Sequence, residues 1–465
     1  MTSTEPVAFR REASIFIVLS LLGAAFWAMI FGLPPRVPRD VADWPKEVRY
    51  YSVLKEAVTI GAVPYYVSRP LQDTRKFLAI PEIVVSPQVV LLRFMDIDAF
   101  LLVHVVLLQT IGTAGCLWLR RRHGLSLAPT LLLWLLLSFN GHVTAHLAIG
   151  HSMWGGCFFL PWFFAGVLEL VDGTVDRRWP LAVGFVLAAM LLQGSYHVFV
   201  WCVLLLLLLL LSQPQRLPVA AALAWSAALG LVRLIPAAVI LLGRRDQSFQ
   251  TGYASLGDVL AGLVLIRDVT FPRRGGGSMG GLNWWEFDVY VGVAGAVWLL
   301  VSSGFCLVRR PHLRLRLGLP LAVMAVLSLG QVYAPLSWLG VPLLAAERVS
   351  SRLLVIPVGL LAVVAAVGAE AWSRRGPRRV WLTWLVTAAT AASLLAHSRA
   401  WTLARIEDLS PPPARERDLE IHIVPPETEG PKDALYVGSV RGSAAASAAA
   451  LLLLVWRWRR AAVSR

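Results

Sequence analysis

Long apolar runs separated by short polar connections make up most of this chain. Several runs approach the roughly 20 residues that cross a bilayer as a helix. The runs predict about twelve membrane spans. They lie near 13–33, 99–119, 126–140, 154–171, 180–194, 196–212, 217–243, 288–308, 317–331, 353–372, 380–398 and 443–458. The predicted fold class is therefore all-α, a polytopic transmembrane helix bundle.

Every second connection between the predicted spans is rich in arginine, as in 120–122, 309–316 and the tail 457–465. Cytoplasmic loops carry an excess of Lys and Arg, so this alternation predicts a multi-pass protein of a bacterial inner membrane with both termini cytoplasmic. The opposite connections are longer and are expected outside the cytoplasm. They are the outer loops 34–87, 139–154, 243–288 and 332–352.

The domain organisation follows from this topology. Residues 1–401 form a transmembrane domain with the four outer loops, 402–442 a small extracytoplasmic segment, and 443–465 a last helix with a basic tail. The run 13–33 is predicted to be an uncleaved first span, because no small-residue cleavage site follows it. The stretch 256–266 is too short to span and is expected to be an interfacial or re-entrant helix.

Composition excludes several classes of protein. With 57% hydrophobic and 15% charged residues, the chain is too apolar for a soluble globule. The net charge of +15 comes from the arginine-rich connections, so it reports topology and predicts no nucleic-acid partner. The four cysteines all lie in apolar runs without a metal-binding spacing, which indicates packing roles.

The start of the first outer loop carries the best catalytic candidate, Asp43, with Asp40 as the next. After Asp43, apolar residues at helical spacing predict an amphipathic helix lying on the membrane surface. Two roles for Asp43 stay open. It can be the N-cap of that helix, a general base whose basicity is raised at the lipid-water boundary, or both together.

Arginines on the outer side are candidates for binding a phosphate. Arg348 and Arg352 are four residues apart, so on a helix they share one face, and guanidinium groups suit a phosphate at headgroup level. The alternative is that they snorkel to the membrane interface. Arg244 and Arg245 are weaker candidates for the same role.

Histidines cluster in the second outer loop as His142, His146 and His151, and His197 begins a span on the same side. Hydrogen bonding at the interface is the favoured use, and a divalent cation held by this cluster is the alternative. No other cofactor is indicated. Glu286, in the stretch 284–292, completes the candidate site residues.

The pattern resembles the GT-C superfamily of membrane glycosyltransferases. The resemblance rests on Asp43 near the start of a long first outer loop, on the stretches 61–66 and 150–154, and on 284–292 and 347–352. It covers roughly residues 13–400. The paired acids common in that class are absent, since Asp40 and Asp43 are separated by two residues.

The resemblance implies an enzyme that transfers a sugar from a polyprenyl-phosphate donor to an acceptor at the extracytoplasmic face. Asp43 would activate the acceptor, Arg348 and Arg352 would hold the leaving phosphate, and the spans would accommodate the prenyl chain. Two other classes remain open, a transporter or lipid flippase and a non-catalytic membrane assembly protein. The absence of visible repeats disfavours the transporter, although Arg233 lies within a predicted span.

Overall fold

The structure is a computed structural model that describes residues 5–241, 249–274, 281–337, 347–407, 420–426 and 434–463. Long helices dominate this part of the chain, and its strands form two small antiparallel sheets. The helices are α1 (Glu5–Phe31), α2 (Trp44–Ile60), α3 (Ile97–His123), α4 (Leu127–Ser138), α5 (Gly141–Ala148), α6 (Leu160–Asp172), α7 (Trp179–Leu192), α8 (Tyr196–Ser212), α9 (Arg216–Leu241), α10 (Leu256–Val264), α11 (Gly292–Arg309), α12 (Pro311–Leu327), α13 (Gly330–Ser337), α14 (Val355–Ser373), α15 (Pro377–Ala400), α16 (Leu403–Ile406) and α17 (Ala434–Val463). The strands are β1 (Tyr66–Leu71), β2 (Thr74–Lys76), β3 (Pro272–Arg274), β4 (Gly281–Asn283) and β5 (Ile423–Val424).

The predicted all-α polytopic class is confirmed. Within the described residues, 9 helical segments are long and apolar enough to cross a membrane. Two shorter apolar helices, α7 and α8, account for two more predicted spans. The remaining one corresponds to α12, whose first turns carry Arg314 and Arg316. Every predicted span therefore coincides with a helix.

Some of these segments are surrounded by protein and others lie at the periphery. The segments Leu127–Ala148, Ser152–Asp172 and Ser350–Ser373 are each 89% buried, whereas Ala434–Ala461 is 17% buried. The outward faces of the peripheral helices expose large apolar side chains such as Leu21 and Trp381. Lipid is the solvent that suits such faces.

The arginine-rich connections come together at one end of the bundle. Arg122 pairs with Glu169 at 3.3 Å, and His312 lies 3.2 Å from Asp172. Arg374 donates to the carbonyl of Gly124 at 3.0 Å. The alternation of arginine-rich connections along the sequence therefore corresponds to two chemically different ends of the helix bundle.

The first helix of the outer loop, α2, forms where the sequence predicts it. Pro45 lies in its first turn, and Gly61 ends it in the left-handed conformation with φ of 71°. Protein, and not only a membrane surface, covers its apolar side, since it packs against the 3₁₀ segment Pro87–Arg93 and α3. One residue of its predicted polar side is misplaced, because Glu47 is buried.

A small sheet in the order β2-β1-β5 joins the first outer loop to the segment before the last helix. Tyr66 pairs with Val424 in the sheet. The ring of Tyr436 in α17 packs edge-on against the ring of Tyr66, with centroids 5.4 Å apart. Because these contacts support its first turns, α17 begins at Ala434, ahead of the predicted start at 443.

Candidate functional site

A cavity of about 540 Å³ opens at the end of the bundle opposite the arginine-rich connections. Its walls come from the four outer loops, which the sequence places on one side, and from the first turn of α8. The lining residues include Asp43, Lys46, Gln72, Glu82, His151, His197, Trp285, Glu286, Arg348 and Arg352. The fold thus brings together candidates that are up to 309 residues apart, the separation of Asp43 and Arg352.

Asp43 is held in the cavity wall by the turn that follows α5. Its backbone N–H donates to the carbonyl of Ile149 at 3.1 Å, and the indole of Trp44 donates to Ala148 at 2.8 Å. Gly150 has φ of 93°, and a Cβ atom there would lie 2.7 Å from the backbone nitrogen of Trp44. The turn therefore needs glycine at this position.

The carboxylate of Asp43 contacts two other side chains and does not cap helix α2. Although Asp43 occupies the N-cap position of α2, its side chain makes no cap hydrogen bond. Instead its Oδ2 lies 2.8 Å from Nζ of Lys46 and 2.6 Å from Nε2 of His151. The expectation that Asp43 acts as a helix cap is wrong, because Lys46 and His151 already engage the side chain.

The electrostatics of Asp43 also differ from expectation. Burial raises its pKa, but the hydrogen bond and charge of His151, together with the charge of Lys46, outweigh burial and hold it well below the usual value. The expectation of a raised basicity is therefore wrong. Asp43 is ionised at neutral pH, which is the state that accepts a proton.

Lys46 connects Asp43 to a second acid, Glu82, whose Oε2 lies 2.9 Å from Nζ of Lys46. Burial opposes the charge of Lys46, yet Glu82 and Asp43 raise its pKa above the usual value. Neither Lys46 nor Glu82 is among the site residues predicted from the sequence. Lys46 carried a signal, since it is three residues after Asp43 on a helix. Glu82 carried none, because its neighbours are distant in sequence.

The loop that carries Glu82 is fixed from two sides. Arg233 of α9 donates to the carbonyls of Leu78, Ile80 and Pro81 at 3.0, 2.7 and 3.0 Å. On the other side, a Cβ at Gly194 would lie 2.1 Å from the carbonyl oxygen of Glu82. Arg233, which the sequence offered as a sign of a transporter, is bound to the backbone of the outer loop.

The two arginines differ sharply. Arg352 binds Glu286 with two hydrogen bonds of 2.6 Å, and the indole of Trp285 donates to the same carboxylate at 3.1 Å. Arg348 is exposed in the cavity wall, and the part of the chain that the structure describes gives its side chain no ion pair. The helix begins only after Arg348, with the 3₁₀ turn Ser350–Leu354, so the predicted shared helix face is wrong.

The histidines form two groups. His146 and His151 are joined by their Nδ1 atoms at 2.7 Å, and the ring of His142 lies 4.6 Å from that of His146. His197 lies 3.0 Å from Oε2 of Glu347, which also accepts from Trp201. Among the described residues, no group of three His, Cys, Asp or Glu side chains is arranged to hold a metal ion.

Three of the predicted site residues that the structure describes, Asp40, His142 and His146, do not line the cavity, and two more lie outside the described residues. Asp40 is half-buried and does not line it. Arg244 and Arg245 lie outside the described residues. His142 is buried behind His146 and does not reach the cavity surface.

No protein-family model matches the sequence, and no curated protein matches it. The chain is similar to the single-particle cryo-EM structure of the arabinofuranosyltransferase AftD from Mycobacteria, with a TM-score of 0.48 and 15% sequence identity. The similarity covers 86% of this chain and 27% of that chain. An activity for the present chain must be argued from its own site.

Proposed function

We propose that this protein is an integral membrane glycosyltransferase that moves a sugar from a polyprenyl-phosphate donor to an acceptor at the extracytoplasmic face. The observation that carries the proposal is the single cavity that joins the carboxylate of Asp43 to the exposed cation of Arg348. Sugar transfer of this kind needs a proton acceptor on one side of the sugar and an anion-binding group on the other.

Asp43 serves the acceptor. Both of its ion-pair contacts are made by Oδ2, and its side chain is 39% exposed. Within the described residues Oδ1 has no contact that would compete with a substrate hydroxyl. A hydroxyl bound there would give its proton to Asp43 as its oxygen attacks the sugar.

Arg348 serves the donor. It is exposed in the cavity wall, so its guanidinium group is available to a phosphate. Arg352 supports this wall through its bidentate pair with Glu286. The phosphate leaves with the bonding electrons, and Arg348 stabilises the charge that develops.

The location of the cavity supports a lipid-linked donor. It lies at one end of a bundle of apolar helices, which suits a donor whose sugar phosphate is held in the cavity while its prenyl chain stays in the bilayer. The opposite end carries the arginine-rich connections, which supports an extracytoplasmic site.

Two measurements test the proposal. Mass spectrometry of lipids that co-purify with the detergent-extracted protein should identify a polyprenyl phosphate or its sugar conjugate. Membranes containing the protein should also convert at least one member of a panel of polyprenyl-phosphate-linked pentoses and hexoses to free polyprenyl phosphate. A donor that crosses the membrane uncleaved would instead identify a transporter, and a panel left wholly unconverted would contradict the proposal.

A further inference from the structure

His151 connects the carboxylate of Asp43 to a buried second histidine. Its Nε2 lies 2.6 Å from Oδ2 of Asp43, and its Nδ1 lies 2.7 Å from Nδ1 of His146. The two imidazole rings are stacked, with centroids 5.0 Å apart. Both nitrogens of His151 are therefore engaged, so its protonation state is tied to that of both neighbours.

The burial of His146 selects the tautomers of this pair. Its Nε2 is buried and has no hydrogen-bond partner among the described residues. A buried N–H without an acceptor is costly, so the proton of His146 belongs on Nδ1, from which it donates to His151. His151 then carries its own proton on Nε2 and donates it to Asp43.

A second proton on His151 disturbs this arrangement. The added Nδ1–H needs a lone pair on Nδ1 of His146, which forces the proton of His146 onto its unpartnered Nε2. The new positive charge also lies directly against Asp43 and weakens that carboxylate as a base. Protonated His151 is thus the less reactive state of the site.

We infer that His151 is a positioning residue for Asp43, that its proton controls how strongly Asp43 accepts the acceptor's proton, and that His146 fixes its tautomer. The inference rests on the proposed glycosyltransferase function. It adds a pH-dependent control of the proposed site.

The transfer step balances with His151 unchanged. The acceptor O–H bond breaks and its proton moves to Oδ1 of Asp43. A bond forms between the acceptor oxygen and the anomeric carbon, while the bond from that carbon to the phosphate oxygen breaks. The electron pair stays on the phosphate, and Asp43 later loses its proton to water.

Several other titratable or charged groups face the histidine pair. Arg352, His142 and His197 act on His146. The groups around His151 are Asp43 and Lys46 at the start of α2, Glu82 of the outer loop, and His142 and His146 of α5. A variant at His151 must therefore be read by the change in its pH profile and not by one rate.

The test compares His151→Gln with His151→Ala across pH 5.5–8.5, using consumption of the donor that the parent protein accepts. Glutamine keeps a donor for Oδ2 of Asp43 but cannot titrate. In the parent, kcat/KM should fall about tenfold toward the acid end of this range, and this fall should be absent in His151→Gln. His151→Ala should lose about tenfold or more at every pH, because Asp43 is no longer held.

The matched control is His312→Gln, which alters a histidine-aspartate pair at the opposite end of the bundle. It should keep the parental profile. A parental pH dependence in His151→Gln, or parental turnover in His151→Ala, would overturn the inference while leaving the proposed function intact.

A second measurement needs no turnover. The imidazole ¹⁵N shifts of His151 in the detergent-solubilised protein, assigned with His151→Gln, should change with pH and should respond to Asp43→Asn. If the parent consumes no donor, the proposed function fails. The ¹⁵N shifts then still test whether the protonation of His151 is coupled to Asp43. Shifts of His151 that are identical with and without the Asp43 carboxylate would overturn the coupling.

Discussion

Arg352 binds Glu286 through two parallel hydrogen bonds, from Nε to Oε2 and from Nη2 to Oε1, each 2.6 Å long. The guanidinium group of Arg352 is thus fixed in the cavity wall, and the carboxylate of Glu286 already neutralises its charge. Arg348, four residues earlier, is exposed. We therefore expect Arg352 to support the cavity wall and Arg348 to bind the ligand.

This division predicts different outcomes for two lysine variants. Arg348→Lys should weaken binding of a polyprenyl phosphate about tenfold with an unchanged melting temperature, because an ammonium group cannot reproduce the guanidinium fork. Arg352→Lys should lower the melting temperature, since it loses one of two hydrogen bonds to a buried carboxylate. Affinity and thermal unfolding in detergent report both effects. Parental affinity in Arg348→Lys would favour interfacial snorkelling.

Arg233 is predicted to be a structural support. Arg233→Met keeps much of the side-chain length but leaves three loop carbonyls without their donor, at an expected loss of stability on the order of 3 kcal/mol. The control is Arg216→Met, at the exposed start of the same helix, which should change little. Equal thermal unfolding of the two variants would contradict this role.

Glu47 gives stability a pH dependence. Burial raises its pKa from 4.5 to about 8, against the opposing effects of Lys46 and Ser152. Because the folded-state pKa lies above the unfolded value, the contribution of protonated Glu47 is complete below about pH 4.5 and is lost as pH rises through about 8. The melting temperature of the parent should therefore fall over this range more than that of Glu47→Gln. The exposed-residue control Glu420→Gln should follow the parent, and an unaltered slope in Glu47→Gln would refute the assignment.

Topology is testable by labelling single cysteines in intact cells. A cysteine at Lys76, on the outer sheet, should react from outside, and one at Arg121 only after permeabilisation. A third predicted outer position, Ser278, lies outside the described residues. Labelling of position 76 from the cytoplasm would move the cavity to the other face and would contradict the proposed direction of transfer.

The spans were predictable because lipid imposes a length and a composition on every helix that crosses it. The alternation of arginine predicted which connections meet, and the structure brings Asp43, His151, His197, Glu286, Arg348 and Arg352 to one cavity as that alternation requires. Which connections meet at one end of the bundle depends only on the direction in which each span crosses the membrane.

The chemistry inside the cavity was less predictable. Periodicity placed Glu47 on a polar face, but a tertiary contact with Ser152 buries it. Likewise, Asp43 looked like a helix cap, yet Lys46 and His151 bind its carboxylate. The basicity of a carboxylate depends on charges within a few ångströms, and those charges come from distant parts of the chain.

The central claim is that Asp43 accepts the proton of the acceptor, and Asp43→Asn tests it most directly. An amide keeps the shape of the side chain but cannot take up a proton in the working pH range. Donor binding should survive, since Arg348 and Arg352 are untouched, while donor consumption should fall about a hundredfold or more. Asp40→Asn, three residues away and outside the cavity wall, is the matched control and should retain the parental rate. Full donor consumption by a folded, donor-binding Asp43→Asn protein would contradict the account.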